Sequence, residues 1–106
     1  MNYKESISEI VKILKAKYKP ERIILFGSCV SGKVTRDSDI DMLIVKDTKS
    51  SYRQRWFEVG RLVRNFKRTI PFEPFVLTPE ELKRGLSRNL FPQEILRKGK
   101  VLYEKT

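Results

Sequence analysis

At 106 residues with 40% hydrophobic side chains, the chain suits one compact domain over positions 1–106 and leaves no room for a second. Histidine is absent and Cys29 is the only cysteine. Histidine-based triads, Cys/His zinc sites and intrachain disulfides are therefore excluded, and acid–base work falls to carboxylates, lysine, tyrosine or metal-bound hydroxyl groups. A net charge of +10, from 23 Lys and Arg against 13 Asp and Glu, calls for an anionic partner: a nucleotide, a nucleic acid or an acidic protein surface. No apolar run exceeds four residues, and Met1-Asn2-Tyr3-Lys4-Glu5 does not open a secretory signal. The expectation is a soluble, cytoplasmic protein that makes no use of a membrane.

The elements alternate along the chain. Asn2-x-x-Glu5 has the form of a capping box, and Ile7, Ile10, Val11 and Leu14 follow at helical spacing. The first helix should bury that stripe and expose Lys12, Lys15 and Lys19. Ile23-Ile24-Leu25-Phe26 reads as a short buried strand that leaves through Gly27-Ser28. Gly27 has no Cβ, so the backbone can turn sharply and come close to an anion, and Ser28 is placed to cap a helix whose free N–H groups attract phosphate. By itself Gly-Ser is also an ordinary strand-to-helix turn. The helical piece should end near Gly32, and Cys29, with no histidine to activate it, reads as a small space-filling side chain.

Positions 33 to 38 form a polar turn into a second strand, Ile40 to Val45, which begins inside Asp39-Ile40-Asp41. Side chains at i and i+2 of a strand face the same way with Cα atoms about 6.7 Å apart, so Asp39 and Asp41 project together. Paired carboxylates repel unless a cation compensates, and Mg²⁺ beside substrate phosphates is a suitable one; the alternative is a solvated turn. Trp56, Val59, Val63 and Phe66 mark a second amphipathic helix over about Ser51 to Lys67, with Trp56 in the core. Arg61, Arg64 and Arg68 share one flank, either a solvated basic face or a partner-binding stripe.

Ile70 to Leu77 reads as a third strand, carrying Glu73 among apolar neighbours. Pro74 removes a ladder donor and puts this strand at an edge or makes it irregular; Glu73 is then either a site carboxylate or an exposed edge charge. Thr78-Pro79-Glu80-Glu81 starts a helix, with Thr78 at N-cap, Pro79 at N1 and Glu81 reaching back, so Glu80 and Glu81 are first-turn charges and not metal ligands. Pro92 opens a last short helix, Gly99 closes it, and Val101-Leu102-Tyr103 adds a strand or packs on the sheet. The pattern is that of an α/β (α+β) domain with a mixed sheet flanked by helices.

Gly27-Ser28, Asp39-Ile40-Asp41 and Glu73, together with Ile24-Leu25-Phe26, Met42-Leu43-Ile44-Val45, Val76-Leu77-Thr78-Pro79 and Gly99-Lys100-Val101-Leu102-Tyr103, resemble the DNA polymerase β-like nucleotidyltransferase superfamily. Within it the chain is similar to the small, stand-alone minimal nucleotidyltransferases. Two positions depart from the family pattern: Val30-Ser31-Gly32 replaces a common Ala-Arg-Gly triplet, and Glu73, followed by Pro74, replaces a common Asp. The resemblance implies a palm-like fold in which Asp39, Asp41 and Glu73 surround a cleft and hold two Mg²⁺ ions. It also implies that Gly27 and Ser28 hold the triphosphate of ATP, with Lys33 or Arg36 as electrostatic helpers. The implied reaction is transfer of AMP from ATP to a hydroxyl, a tyrosine of a HEPN-domain ribonuclease toxin, with this chain as antitoxin. The alternative is an antitoxin that neutralises its partner by contact alone. Direct nucleic-acid binding ranks last, because aromatic-plus-basic motifs of single-strand binders are not evident.

Overall fold

The computed structural model describes residues 2–32, 38–64, 70–87 and 91–105. Helix α1, Tyr3–Ile13, starts where the Asn2 side chain accepts the Glu5 N–H at 2.8 Å, and it continues as a π-helical turn, Leu14–Tyr18. Ile10 and Leu14 are buried, Ile7 and Val11 half-buried, and Lys12, Lys15 and Lys19 exposed, as the spacing requires. Lys19 ends the helix with φ +55°, and the Lys46 ammonium donates to the Tyr18 carbonyl at 2.7 Å, a cation at the negative end of the helix.

Strands β1 (Arg22–Phe26), β2 (Ile40–Val45), β3 (Phe72–Leu77) and β4 (Lys100–Glu104) form a sheet in the order β3-β2-β1-β4. The β1–β2 and β1–β4 pairs are antiparallel and β2–β3 is parallel, so the sheet is mixed. β3 lies at an edge, which accommodates Pro74. Between β1 and β2 lies the short helix α2, Ser28–Ser31, closed by Gly32 at φ +80°. Helix α3, Tyr52–Val63, joins β2 to β3; α4, Pro79–Ser87, and α5, Phe91–Lys98, join β3 to β4.

Strand alternation divides the core between the two faces of the sheet. Ile23, Leu25, Ile40, Met42 and Ile44 pack with Ile10 of α1, with Leu14 of its π-helical continuation and with Val59 and Val63 of α3. Ile24, Leu43 and Val45 pack on the other face with Leu82 of α4 and Ile95 of α5. The turn from α5 into β4 passes so close to β1 that a Cβ at Gly99 would lie 2.7 Å from Ile24 Cγ2. No helix among the described residues is long and apolar enough to cross a membrane.

One expected core residue is outside. Trp56 is 42% exposed and stacks edge-on against Phe57, while Arg55 is 5% exposed. The buried line of α3 is Arg55, Val59 and Val63, at i, i+4 and i+8. Trp56 stands about 100° from Arg55 round the helix. The guanidinium takes the inward place because acceptors meet it there: it donates to the Ser50 carbonyl at 2.8 Å, the Val76 carbonyl at 3.2 Å and the Glu81 carboxylate at 2.7 Å. Of the remaining α3 expectations, Arg61 and Arg64 are exposed, and Phe66 and Arg68 lie outside the described residues.

Glu81 is doubly engaged. Its carboxylate accepts the Thr78 N–H at 2.9 Å, the Glu81 N–H donates to Thr78 Oγ1 at 3.1 Å, and the same carboxylate pairs with Arg55. The capping box expected at Thr78 is present and is tied to α3. The Arg55 hydrogen bond, ahead of the Thr78 contacts, holds the Glu81 carboxyl below its ordinary range. A depressed acid stabilises the fold above its unfolded pKa, and that contribution is lost as pH falls through the folded pKa. Glu81→Gln, which strands a buried guanidinium, is expected to cost about 3 kcal/mol in urea unfolding at neutral pH. The difference from wild type should narrow in acid, where protonation of Glu81 breaks the pair in wild type as well.

Candidate active site

β1 ends at Phe26 and the chain reverses at Gly27, with φ +79° and ψ −153°, a combination essentially confined to glycine. A Cβ there would also lie 2.6 Å from Asp41 Oδ2, so backbone and neighbour both demand glycine. The Gly27 carbonyl accepts from the N–H groups of Val30 at 3.1 Å and Ser31 at 3.2 Å. Gly27 is thus the N-cap of α2, and Ser28, expected as the cap, is the first helical residue. The N–H groups of Ser28 and Cys29 precede the first bond of the helix and are open to an external acceptor.

Sheet register brings two of the carboxylates, Asp41 and Glu73, side by side. Asp41 lies opposite Phe26 on β1 and beside Glu73 on β3. Directly paired residues share a face, so Asp41 and Glu73 stand on the face that continues as Phe26, Leu43 and Phe75. The Phe26 and Phe75 rings meet at 5.5 Å between centroids and form the apolar border of this acidic end. Asp39 is exposed, one residue before β2, and its carbonyl accepts from the Cys29 thiol at 3.5 Å, which ties α2 to the strand start. On the other side the Tyr3 hydroxyl donates to the Ser38 carbonyl at 3.1 Å. Lys33 and Arg36 lie outside the described residues.

The electrostatics follow from this crowding. Burial, then Asp39, then Glu73, push the Asp41 carboxyl above its ordinary range. Burial followed by Asp41 and Asp39 pushes the Cys29 thiol up as well. A protonated thiol is neither a nucleophile nor a ligand, in keeping with a space-filling Cys29. The donor set is carboxylate oxygen, hard and anionic, and among the described residues no ion pair compensates its charges, which fits Mg²⁺. Among the described residues no three Cys, Asp or Glu side chains already converge as an ion cage. Mg²⁺ is commonly bound by one or two carboxylates and completes its shell with phosphates and water.

Sequence reasoning missed a recess of about 600 Å³ next to the turn, between Phe26, Gly27 and Val30 on one side and Glu94, Ile95 and Lys98 of α5 on the other. Nothing local announces it, because it depends on where α5 docks. The Arg55–Glu81 lock was missed for the same reason: two charged residues 26 apart carry no periodic signal.

A mixed sheet with carboxylates gathered at one end, beside a glycine turn, is the frame of a nucleotidyltransferase domain. The family model described as "Polymerase beta, Nucleotidyltransferase" matches residues 8–106, and the chain belongs to that family. It is 33% identical over 110 residues to the "Putative protein adenylyltransferase MJ0604" of Methanocaldococcus jannaschii, across 97% of this chain and 100% of that protein. A crystal structure of a "putative nucleotidyltransferase" superposes with a TM-score of 0.57 at 32% identity, covering 92% of this chain and 98% of that one. A toxin-antitoxin structure with AMP-PNP has the same fold, with a TM-score of 0.66 at 22% identity over 93% of this chain and 73% of that one. The resemblance read from the motifs therefore holds for family and fold.

An acid whose folded pKa is raised contributes stability below its unfolded pKa that is lost as pH rises through the folded value. Asp41→Asn removes that liability. Its melting temperature at neutral pH is expected to equal or exceed wild type, and the advantage should vanish below about pH 4, where a free Asp is itself protonated. A variant less stable than wild type at neutral pH would contradict the charge-crowding account.

Proposed function

We propose that this chain is a Mg²⁺-dependent adenylyltransferase that moves AMP from ATP to a hydroxyl of a partner protein and so acts as an antitoxin. The observation that carries the reading is the acidic end of the sheet: Asp41 between Gly27 and Glu73, with Asp39 two residues before it. The protein adenylyltransferase name of its archaeal relative and the AMP-PNP in a structural neighbour support ATP as donor. The acceptor is proposed to be a tyrosine of a HEPN-domain ribonuclease toxin, on the strength of the motif resemblance and of the toxin-antitoxin neighbour.

Asp39 and Asp41 are the proposed ligands of two Mg²⁺ ions, with Glu73 on the second. When bound, such ions screen the triphosphate and stabilise charge on the entering and leaving oxygens of an in-line displacement. Gly27 lets the triphosphate approach the backbone, where the Ser28 and Cys29 N–H groups and the Ser28 hydroxyl can donate to it. Lys33 and Arg36 are proposed to add positive charge. The recess beside Gly27 leaves room for the nucleoside. The acceptor oxygen bonds to the α-phosphorus, the α–β bridging bond breaks, pyrophosphate departs, and the acceptor proton passes to Glu73.

Neutralisation by contact alone is the second reading, with the acidic end vestigial or used only to hold nucleotide. The two diverge on a covalent mark. With labelled ATP, Mg²⁺ and the toxin, an adenylyltransferase leaves an AMP mass increase on the toxin that survives denaturing separation, and Asp39→Asn or Asp41→Asn abolishes both mark and protection. Glu73→Gln is expected to lower turnover about 100-fold with little change in ATP binding, because its contribution is confined to the transition state. Protection that persists in the Asp39→Asn/Asp41→Asn protein, with no mark in wild type, would establish the contact reading instead.

A further inference from the structure

On the sheet face opposite the carboxylates, α1 and α3 cover β1, β2 and β3 but leave part of β4 open. The result is a groove of about 950 Å³ between α1, β1, β4 and the end of α2. Its floor is aliphatic: Ile7, Val11, Val30 and Leu102 line it and remain only half-buried. Its rim is Lys4, Lys12, Lys15 and Lys100, all exposed, and among the described residues no acidic side chain lines it. None of these lysines joins an ion pair among the described residues, and Lys15 rests over the Tyr103 ring at 5.2 Å.

We infer that this groove is a docking site for an acidic amphipathic helix of a partner protein. The wall formed by α1 and its π-helical continuation runs from Lys4 to Ala16, about 18 Å, the length of roughly three helical turns. A half-exposed apolar floor between like charges suits a helix with an apolar stripe flanked by Asp or Glu. A solvated basic face would account for the lysines but not for the open aliphatic floor between them. A second copy of the chain suits the groove poorly, since each copy carries +10 and an exposed aromatic pair that could enter it, Trp56 and Phe57, is accompanied by Arg53. A nucleic acid suits it no better, because the described residues of the floor include no aromatic platform for bases.

The groove reaches Cys29 and Val30, directly after the Gly27-Ser28 turn, from the face away from the acidic cluster. A helix seated there leaves the cleft free, so one protein can be held and modified together. That link to catalysis rests on the proposed adenylyl transfer; the docking itself does not.

The test uses the Asp39→Asn/Asp41→Asn protein without ATP, so that its outcome is separate from the catalytic proposal. A labelled helical peptide of about 14 residues, with leucines on one stripe and glutamates beside it, is titrated by fluorescence anisotropy. Companion probes are the same peptide with lysine for glutamate and a single-stranded oligonucleotide. The acidic peptide is expected to bind and to protect residues 4–16 and 100–102 from hydrogen exchange. Lys12→Glu/Lys100→Glu, a change confined to exposed side chains, is expected to weaken it about tenfold, whereas Arg61→Glu/Arg64→Glu, the same charge change on α3, leaves it within about twofold. Val11→Ser/Leu102→Ser, at constant charge, should also weaken it about tenfold; if that pair fails to fold, the rim pair and the protection map decide. The inference is overturned by failure of the acidic peptide to bind, equal loss from the α3 reversal, or protection elsewhere. It is equally overturned if the oligonucleotide takes the groove, or if the protein dimerises through a contact that Lys12→Glu/Lys100→Glu abolishes.

Discussion

Strand β2 hydrogen-bonds to β1 on one side and β3 on the other, and the acidic end of the molecule depends on both registers. Asp41 stands opposite Phe26 and beside Glu73. A slip of one residue on either side would turn a carboxylate towards the α1–α3 core and its neighbouring aliphatic residues outwards, at a cost no local contact could recover. Ile40, Met42 and Ile44 are fully buried against α1 and α3, and Leu43 and Val45 against α4 and α5. Burial on both faces therefore pins the strand that carries the acids. The repulsion among Asp39, Asp41 and Glu73 is borne by this framework.

The framework is stiffened at the opposite end of β3. Arg55 reaches from α3 to the Val76 carbonyl and to Glu81, and Glu81 in turn caps α4. One guanidinium thus fixes two helices, on opposite faces of the sheet, to the strand that brings Glu73 alongside Asp41. A buried ion pair adds little net stability by itself, but removing one partner leaves the other charge buried and unpaired, which is strongly destabilising. The Thr78 hydroxyl and the first-turn carboxylate serve local helix initiation and long-range docking together.

The two faces of the sheet carry different chemistry. One ends in carboxylates beside a glycine turn and a recess under α5; the other opens into a lysine-rimmed aliphatic groove beside α1. The short helix α2 lies between them, with Gly27 and Ser31 on the recess and Cys29 on the groove. Its position is held by the Cys29 thiol on the Asp39 carbonyl. Nucleotide chemistry and partner contact, as proposed, would meet at this one turn of helix.

Much of the site was written in short-range order. Ile40 to Val45 read as a strand starting at the Asp39-Ile40-Asp41 motif; Gly27 announced a turn; and Thr78 to Glu81 carried its own capping logic. These features depend on neighbours within four residues, where the backbone leaves few options. The pairing of Glu73 with Asp41 depended on parallel register between strands joined through α3, and Pro74 told only that the strand lies at an edge. Trp56 was assigned inward by apolar spacing, but the inward place on α3 went to Arg55, because three acceptors converge there from β3, α4 and the Ser50 loop. Ser28 lost the cap to Gly27 because the backbone at that turn takes a conformation that excludes a side chain. The sequence by itself determined the strands, through local sterics and periodicity, and the family, through the likeness of its motifs. Only the tertiary structure decided which charges are buried, which aromatics are exposed and what lies beside the acids, because those depend on how elements far apart in the chain pack together.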